Sequence, residues 1–128
     1  MADVIFLDTH VVVWLYEGDL EKFNSAIQED LEAHDLLISP AVALELQYLK
    51  EVGKTTVAAK KIVEELTSSI GLAVSDIPFY RVVGEALGQS WTRDPFDRLI
   101  TAQACLGQDR LLTKDRTICA NYKRAYWA

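Results

Sequence analysis

Short apolar runs alternate with longer segments of helical periodicity along this chain, and this alternation constrains its fold more than any other feature. The runs cover residues 4–7, 36–38, 72–74 and 111–113. Short, apolar runs are typical of strands that are buried on both faces of a parallel sheet. We therefore predict an α/β fold, a three-layer α/β/α sandwich with a mostly parallel sheet of four or five strands.

The segments between the runs carry helix signals. Ser39 is suited to cap the free amides of a helix and Pro40 to occupy its first position, and Asp94 and Pro95 form a second pair of this kind. The predicted helices cover residues 9 or 10 to 17, 20–33, 39–53, 55–69, 78–87, 94–107 and 115–121. Residues 125–127 are predicted to form a further strand at the edge of the sheet.

Length and composition bound the class of protein. A chain of 128 residues predicts one domain, residues 1–128. The longest apolar run, residues 11–16, is too short to cross a membrane, and the N-terminus lacks the basic region and cleavage site of a signal peptide. We therefore expect a cytoplasmic protein with no membrane partner. Cys105 and Cys119 form no CxxC pair, which predicts reduced thiols.

The net charge of −6 argues at first sight against a nucleic-acid partner, but the charge is unevenly distributed. Residues 1–92 carry six basic and 15 acidic side chains, a balance of −9, whereas residues 93–128 carry seven basic and four acidic ones, a balance of +3. A phosphate backbone responds to local basicity. The basic C-terminal segment therefore has two interpretations, a phosphate-binding surface or an ordinary solvated surface.

Four acidic side chains occur where an α/β enzyme places ligands. Asp8 directly follows the first apolar run and Asp115 comes shortly after the last one, at the strand ends where sites form in open α/β sheets. Glu45 and Asp97 lie in predicted helices among apolar neighbours. A carboxylate that faces a core is costly unless it is paired or binds a cation. No nearby Lys or Arg would pair all four, so a shared metal site is the simplest interpretation.

The type of ligand indicates the metal and its chemistry. Carboxylates brought together without a cation repel each other by on the order of 4 kcal/mol per pair at about 4 Å, for an effective dielectric constant of roughly 20. Oxygen ligands select hard cations, so the predicted cofactor is Mg²⁺, with Mn²⁺ as a substitute. The chemistry that matches such a site is metal-assisted hydrolysis of a phosphodiester.

Each of these acids also has an ordinary structural interpretation. Asp8, Asp94 and Asp115 are each placed to cap a helix, and Glu45 could be an exposed position on its helix. Asp94 and Asp97 are three residues apart, which puts both on one helix face and directs Asp97 into the cleft.

Further side chains lie close to the predicted site in sequence. Thr9 and Thr113 offer hydroxyl groups beside strand ends, and Arg98 is placed to pair with an acid or to contact phosphate. Trp14 and Tyr16 follow the first strand on a short helix, where packing or a dimer face is favoured over base stacking. The second-line candidates near the site are Asp94, Thr9, Thr113 and Arg98.

The chain resembles the PIN domain, a metal-dependent nuclease fold found in the VapC toxins of bacterial toxin–antitoxin systems. The resemblance extends over the whole chain and is carried mainly by three segments. They read FLDTHVVVWL at residues 6–15, RDPFDRLITAQA at residues 93–104 and LLTKD at residues 111–115. The segment from Ser39 to Glu45 is less specific but falls in the matching order.

The resemblance implies roles for the acids. Asp8 and Asp97 would be the principal Mg²⁺ ligands, Glu45 would support the metal or orient water, and Asp115 would complete the acidic pocket. Asp94 matches a family position near the mouth of the site. All five residues would then act at one centre.

The resemblance also implies a function and partners. The chain would be a Mg²⁺-dependent endoribonuclease, the toxin of a VapBC-type pair, with RNA as substrate, a cognate VapB-like antitoxin that blocks the site, and a homodimeric assembly. Many PIN domains carry Asn directly after the first Asp, whereas this chain has Thr9. That departure leaves the role of position 9 open.

Two other classes of function are compatible with the acids. The first is a PIN-fold binding module without catalysis, which the presence of all four acids disfavours. The second is a Mg²⁺-dependent phospho-signalling or phosphatase domain with Asp8 as the phosphoryl acceptor. Here His10 occupies the place where haloacid-dehalogenase-like enzymes carry a second Asp, which disfavours that class.

Overall fold

The computed structural model describes residues 3–128 and has a five-stranded parallel sheet at its centre. The strands are β1 Val4–Leu7, β2 Asp35–Ile38, β3 Ala73–Val74, β4 Arg110–Leu112 and β5 Ala125–Tyr126. Their spatial order is β3-β2-β1-β4-β5, and every neighbouring pair is parallel. The predicted α/β fold is confirmed, and the sheet has the larger of the two predicted strand counts.

Helices connect the strands and flank the sheet. They are α1 Thr9–Glu17, α2 Ser25–Ala33, α3 Pro40–Glu51, α4 Ala59–Ile70, α5 Phe79–Ala86, α6 Pro95–Leu106 and α7 Arg116–Asn121. Cys105 in α6 and Cys119 in α7 are free thiols. Within residues 3–128, no helix combines the length and the apolar composition needed to cross a membrane.

The predicted helix over residues 20–33 is wrong in its first part. Residues Leu20–Lys22 form a single 3₁₀ turn, and Phe23 is extended and buried. Asn24 then caps α2, because its side-chain oxygen accepts a hydrogen bond from Ile27 N at 2.9 Å. Asparagine competes with helix formation by bonding to the backbone in this way. The helical spacing of apolar residues continues through residues 20–33, but the Asn24 cap interrupts the helix itself.

The predicted helix over residues 55–69 also begins too early. The structure starts α4 at Ala59, and Ala58 has an extended backbone with ψ of 146°. A side chain from the preceding helix supplies the cap, since Gln47 Oε1 accepts from Ala59 N at 3.1 Å. A cap that comes from 12 residues earlier leaves no local sequence signal.

The central position of β1 in the sheet explains why its sequence is uniformly apolar. Ile5, Phe6 and Leu7 of β1 are each at most 2% exposed. Both faces of the strand are covered, so apolar residues do not alternate with polar ones. Full burial of such a side chain contributes about 1.5–3 kcal/mol to the stability of the fold. This packing holds β1 in place, and Asp8 directly follows the end of that strand.

Parallel pairing brings the residues that follow β1, β4 and β5 to one edge of the sheet. Leu112 is paired with Leu7 in the register of β1 and β4. Asp8 N donates to Leu112 O at 3.1 Å, and Thr113 N donates to Tyr126 O at 3.1 Å. Asp8 and Thr113 therefore lie side by side, although they are separated by more than 100 residues in sequence.

A buried polar network joins the same edge of the sheet to α6. Ser39 caps α3, and its hydroxyl donates to Gln103 Oε1 at 3.0 Å. Gln103 Nε2 in turn donates to Ser75 Oγ at 2.9 Å. All three side chains are at most 9% exposed. Because polar groups buried this deeply require partners, the network fixes the start of α3 relative to α6.

We expect Gln103→Leu to lower the free energy of unfolding by about 1–3 kcal/mol, because the hydroxyls of Ser39 and Ser75 lose their amide partner. In urea unfolding, the double variant with Ser39→Ala should cost less than the sum of the two single changes. The control pair is Gln103→Leu with Thr67→Val on the exposed part of α4, which should be additive. Additivity of the Ser39 and Gln103 changes would contradict the network.

Candidate active site

An open pocket of about 420 Å³ lies at the carboxyl end of β1 and β4. Its lining is dominated by acids. They include the four acids predicted to share a metal site, and Asp94 as a fifth. The lining residues are Asp8, His10, Val11, Trp14, Glu45, Asp94, Asp97, Lys114 and Asp115. The fold therefore brings together five carboxylates that are spread over more than 100 residues of sequence.

Asp8 sits at the junction of β1 and α1 and is 8% exposed. Its Oδ1 accepts from Thr9 N at 2.8 Å, and its Oδ2 accepts from the Thr113 hydroxyl at 2.6 Å. Burial raises the pKa of the Asp8 carboxyl, although these two hydrogen bonds and the nearby His10 act in the opposite direction. The helix-capping role and the pocket-lining position of Asp8 therefore coexist.

Glu45 reaches the pocket from the second turn of α3 and is half-buried. The hydroxyl of Thr9, itself fully buried, donates to Glu45 Oε1. Burial raises the pKa of Glu45, and the charges of Asp8 and Asp94 raise it further. The structure thus places position 9, whose role the sequence left open, as a hydrogen-bond donor that orients Glu45.

Asp94 and Asp97 occupy the start of α6. Asp94 Oδ1 caps the helix by accepting from the backbone amides of Phe96 at 2.8 Å and Asp97 at 3.0 Å. The Asp97 side chain is half-buried in the pocket. Burial raises the pKa of Asp97 to about 7, and four neighbouring acids add to the effect, with Asp94 the largest. Asp97 therefore carries the strongest evidence of crowded negative charge.

Asp115 caps α7, since its Oδ1 accepts from the amides of Thr117 at 2.8 Å and Ile118 at 3.0 Å. Its own amide donates to the Thr113 hydroxyl at 3.0 Å. The Thr113 hydroxyl thereby accepts from Asp115 and donates to Asp8. A single buried threonine links the two acids that follow neighbouring strands.

Arg98 does not line the pocket. Its guanidinium donates to the carbonyl oxygens of Ala86 and Leu87, both at 3.1 Å, and more distantly to that of Thr92. These bonds attach the end of α5 to α6. The arginine satisfies carbonyls at a helix end, which is a common role for this side chain.

Four other residues also line the pocket, and none of them is among the predicted site residues. One of the four is Val11. His10 and Trp14 lie one turn apart on α1, which starts at the pocket, and Lys114 immediately precedes Asp115. Their nearness to Asp8 and Asp115 in sequence was the available signal. Only the pairing of β1 with β4 shows that these segments face a common pocket.

The donor set fits a hard divalent cation in chemical type. Five carboxylates supply oxygen ligands, which Mg²⁺ and Mn²⁺ prefer. Burial and, after it, mutual repulsion raise the pKa of Asp97, and a bound cation would offset the cost of holding these charges together. Within residues 3–128, however, no three His, Cys, Asp or Glu side chains are already gathered in a metal-binding arrangement. Side-chain rotation would be needed to close a coordination shell.

A family model for the PIN domain matches residues 5–124 of the chain. The chain belongs to the PIN domain family. It is 30% identical over 117 residues to Ribonuclease VapC22 of Mycobacterium tuberculosis, an alignment that covers 89% of this chain and 88% of that protein. The predicted PIN and VapC-like resemblance is therefore confirmed.

Solved structures agree with this family assignment at the level of the fold. A toxin–antitoxin complex from Klebsiella pneumoniae matches with a TM-score of 0.65 and 18% identity, covering 96% of each chain. VapBC2 from Rickettsia felis, bound to a DNA fragment from its promoter, matches with a TM-score of 0.64 and 18% identity, covering 92% of each chain.

We expect Asp97→Asn to raise the melting temperature in EDTA at pH 8 by roughly 2–6 °C, since it removes a charge that the metal-free fold holds at a cost. The folded pKa of Asp97, about 7, lies above its ordinary value of 3.8. Ionisation therefore costs the fold progressively more as pH rises between these values. The difference between variant and wild type should vanish near pH 4.

The control for this prediction is Asp76→Asn, which removes an equal charge from an exposed side chain outside the pocket. It should leave the melting temperature nearly unchanged at both pH values. Addition of Mg²⁺ should raise the melting temperature of the wild type more than that of Asp97→Asn. A wild type as stable as Asp97→Asn at pH 8 in EDTA would contradict the crowding of charge.

Proposed function

We propose that residues 1–128 act as a single-domain, metal-dependent endoribonuclease, the toxin of a VapBC-type toxin–antitoxin pair that acts in the cytoplasm. The observation that carries this proposal is the pocket at the end of β1 and β4, which gathers five carboxylates, among them Asp97 with a pKa of about 7. In a PIN-family chain related to a ribonuclease, this arrangement supports hydrolysis of RNA phosphodiester bonds.

Asp8 and Asp97 would hold Mg²⁺ or Mn²⁺, with Asp115 and Glu45 completing the acidic shell and Asp94 at its mouth. When bound, such a cation polarises the phosphodiester and lowers the pKa of a water molecule. The chain itself contributes positioning, since the Thr113 hydroxyl fixes Asp8 through Oδ2.

We assign to Glu45 the role of orienting the attacking water and accepting its proton. Its Oε1 accepts from the Thr9 hydroxyl, and the side chain lines the pocket. The raised pKa of Glu45 makes it a better proton acceptor than an ordinary carboxylate. The water oxygen bonds to phosphorus as Glu45 takes its proton, and the bond from phosphorus to the leaving ribose oxygen breaks. That oxygen takes up a proton from solvent, and Glu45 releases its proton to solvent.

Two protein partners belong to the proposal. A VapB-like antitoxin would block the pocket, which the toxin–antitoxin complexes among the similar structures support. A second copy of the chain would cover exposed apolar side chains on α3, on α5 and directly after α5, and form a homodimer. The most exposed of these are Leu44, Tyr48, Phe79, Tyr80 and Leu87.

A phospho-signalling function is less compatible with the site. A phosphoryl acceptor needs a free, accessible carboxylate oxygen. Asp8 is 8% exposed, and both of its oxygens accept hydrogen bonds. These contacts favour a fixed ligand over a nucleophile.

Purified, antitoxin-free protein should cut total cellular RNA into discrete fragments in Mg²⁺ or Mn²⁺, and EDTA should abolish the cleavage. Asp97→Asn should reduce the rate at least ~100-fold, since a metal ligand is lost, while Asp76→Asn should leave it unchanged. Circular dichroism should show that both variants are folded. Cleavage that persists in Asp97→Asn, or an RNA pool left intact by folded wild type, would contradict the proposal.

Thr113→Val should lower the cleavage rate by about 10–100-fold, because a carboxylate that loses its orienting partner binds and positions a metal less well. The substitution keeps the shape of the side chain and removes only the hydroxyl that joins Asp8 to Asp115. Thr67→Val on the exposed part of α4 is the matched control and should be silent. An unchanged rate in Thr113→Val would show that this hydroxyl does not position Asp8.

A further inference from the structure

We call the pocket that is lined by the five carboxylates the acid pocket. Two further open pockets continue from it along β4 and β5. The first, of about 490 Å³, shares Lys114 with the acid pocket and is also lined by Arg116 and Trp127. The second, of about 270 Å³, shares Ala125 and Tyr126 with the first. Neighbouring pockets share lining residues, so the three pockets adjoin one another in a series that begins at the carboxylates.

This continuation is basic where the acid pocket is acidic. Its second pocket is lined by Lys123 and Arg124, so the surface carries four exposed cations with Lys114 and Arg116. Within residues 3–128, these four side chains form no salt bridge and no side-chain hydrogen bond. Arg110, by contrast, contacts Asp30 at 3.7 Å and His34 at 2.8 Å. We call Lys114, Arg116, Lys123 and Arg124 the basic strip.

Two tryptophans hold the first cation of the basic strip at the mouth of the acid pocket. Lys114 Nζ lies 6.0 Å from the ring centroid of Trp14 and 5.7 Å from that of Trp127. The two indoles meet edge to face, with centroids 5.8 Å apart, and both remain partly exposed. A cation beside accessible aromatic rings can take a phosphate while a ring takes a base.

We propose that the basic strip and Trp127 bind single-stranded RNA where it continues from the acid pocket. This inference rests on the proposed function and adds the path of the substrate. A phosphate backbone is repelled by carboxylates, so affinity beyond that of any cation they hold must come from basic side chains beside them. Across the described residues 3–128 the strip supplies four cations that form no salt bridge, and it begins at Lys114, which lines both surfaces. The partly exposed indole of Trp127 fits an unstacked base, which a duplex does not offer.

The test uses the full chain with Asp97→Asn, which prevents cleavage, and a fluorescein-labelled, unstructured oligouridylate of about 12 nucleotides, within the span of one single-strand site. Fluorescence anisotropy gives Kd at several salt concentrations. Joint Arg116→Gln, Lys123→Gln and Arg124→Gln substitutions should weaken binding at least ~10-fold. They should also reduce the slope of log Kd against log salt concentration by about 2, because each of three lost phosphate contacts contributes about 0.7. Lys114 is retained because it also lines the acid pocket.

The control carries Lys50→Gln, Lys54→Gln and Lys60→Gln, which remove the same charge from exposed positions away from these pockets. It should leave Kd within about twofold, because net charge alone contributes little beyond the Debye length. Equal weakening in both triple variants, or no RNA binding by the parent chain, would overturn the proposal. Tighter binding of the deoxyribonucleotide strand would overturn RNA as the ligand.

Tryptophan emission reports the base contact directly. RNA should quench the emission of the parent chain, Trp127→Phe should remove much of the quench, and Trp91→Phe should not. Quenching that persists in Trp127→Phe would overturn the base contact. Cleavage by the wild type is measured in parallel. RNA that binds to the strip but is not cleaved would contradict the nuclease function and leave this inference standing.

Discussion

Repulsion among carboxylates that the fold itself brings together is the constraint on which the rest of this structure depends. Parallel pairing of β1 with β4 sets Asp8 beside the turn that carries Asp115, and α6 adds Asp97. Burial and the neighbouring acids raise the pKa of Asp97 to about 7. The apolar packing of β1 and the buried polar network must offset this cost. A divalent cation would relieve the same cost, so metal binding and fold stability are coupled.

Hydroxyl and backbone donors, and not basic side chains, hold the acids in place. Thr9 donates to Glu45 and Thr113 donates to Asp8, while Asp115 uses one oxygen to cap a helix. Within residues 3–128, neither salt bridge involves a pocket acid. Neutral donors orient a carboxylate without cancelling its charge. The negative charge of the pocket therefore remains available to a cation from solution.

Local signals made much of the fold and the site predictable. The apolar run before Asp8 predicts the end of a strand, and the Asp–Pro pair predicts the start of α6. Each signal lies within a few residues of the feature that it predicts. The predictions failed where a structural cause lay elsewhere in the chain. Gln47 caps α4 from the preceding helix, and Arg98 bonds to α5 carbonyls that only helix packing brings within reach. Lys114 meets Trp127 only because β5 pairs with β4.

The juxtaposition of acid pocket and basic strip resolves an apparent conflict between a net charge of −6 and the proposed RNA substrate. At physiological ionic strength, exposed charges more than about 8 Å apart are largely screened. A phosphate at Lys114 therefore responds mainly to the neighbouring strip and to any cation held by the carboxylates. With both in place, this surface attracts the backbone although the molecule as a whole is acidic. Metal in the pocket would then strengthen RNA binding as well as catalysis, since it changes the sign of the charge that the scissile phosphate meets.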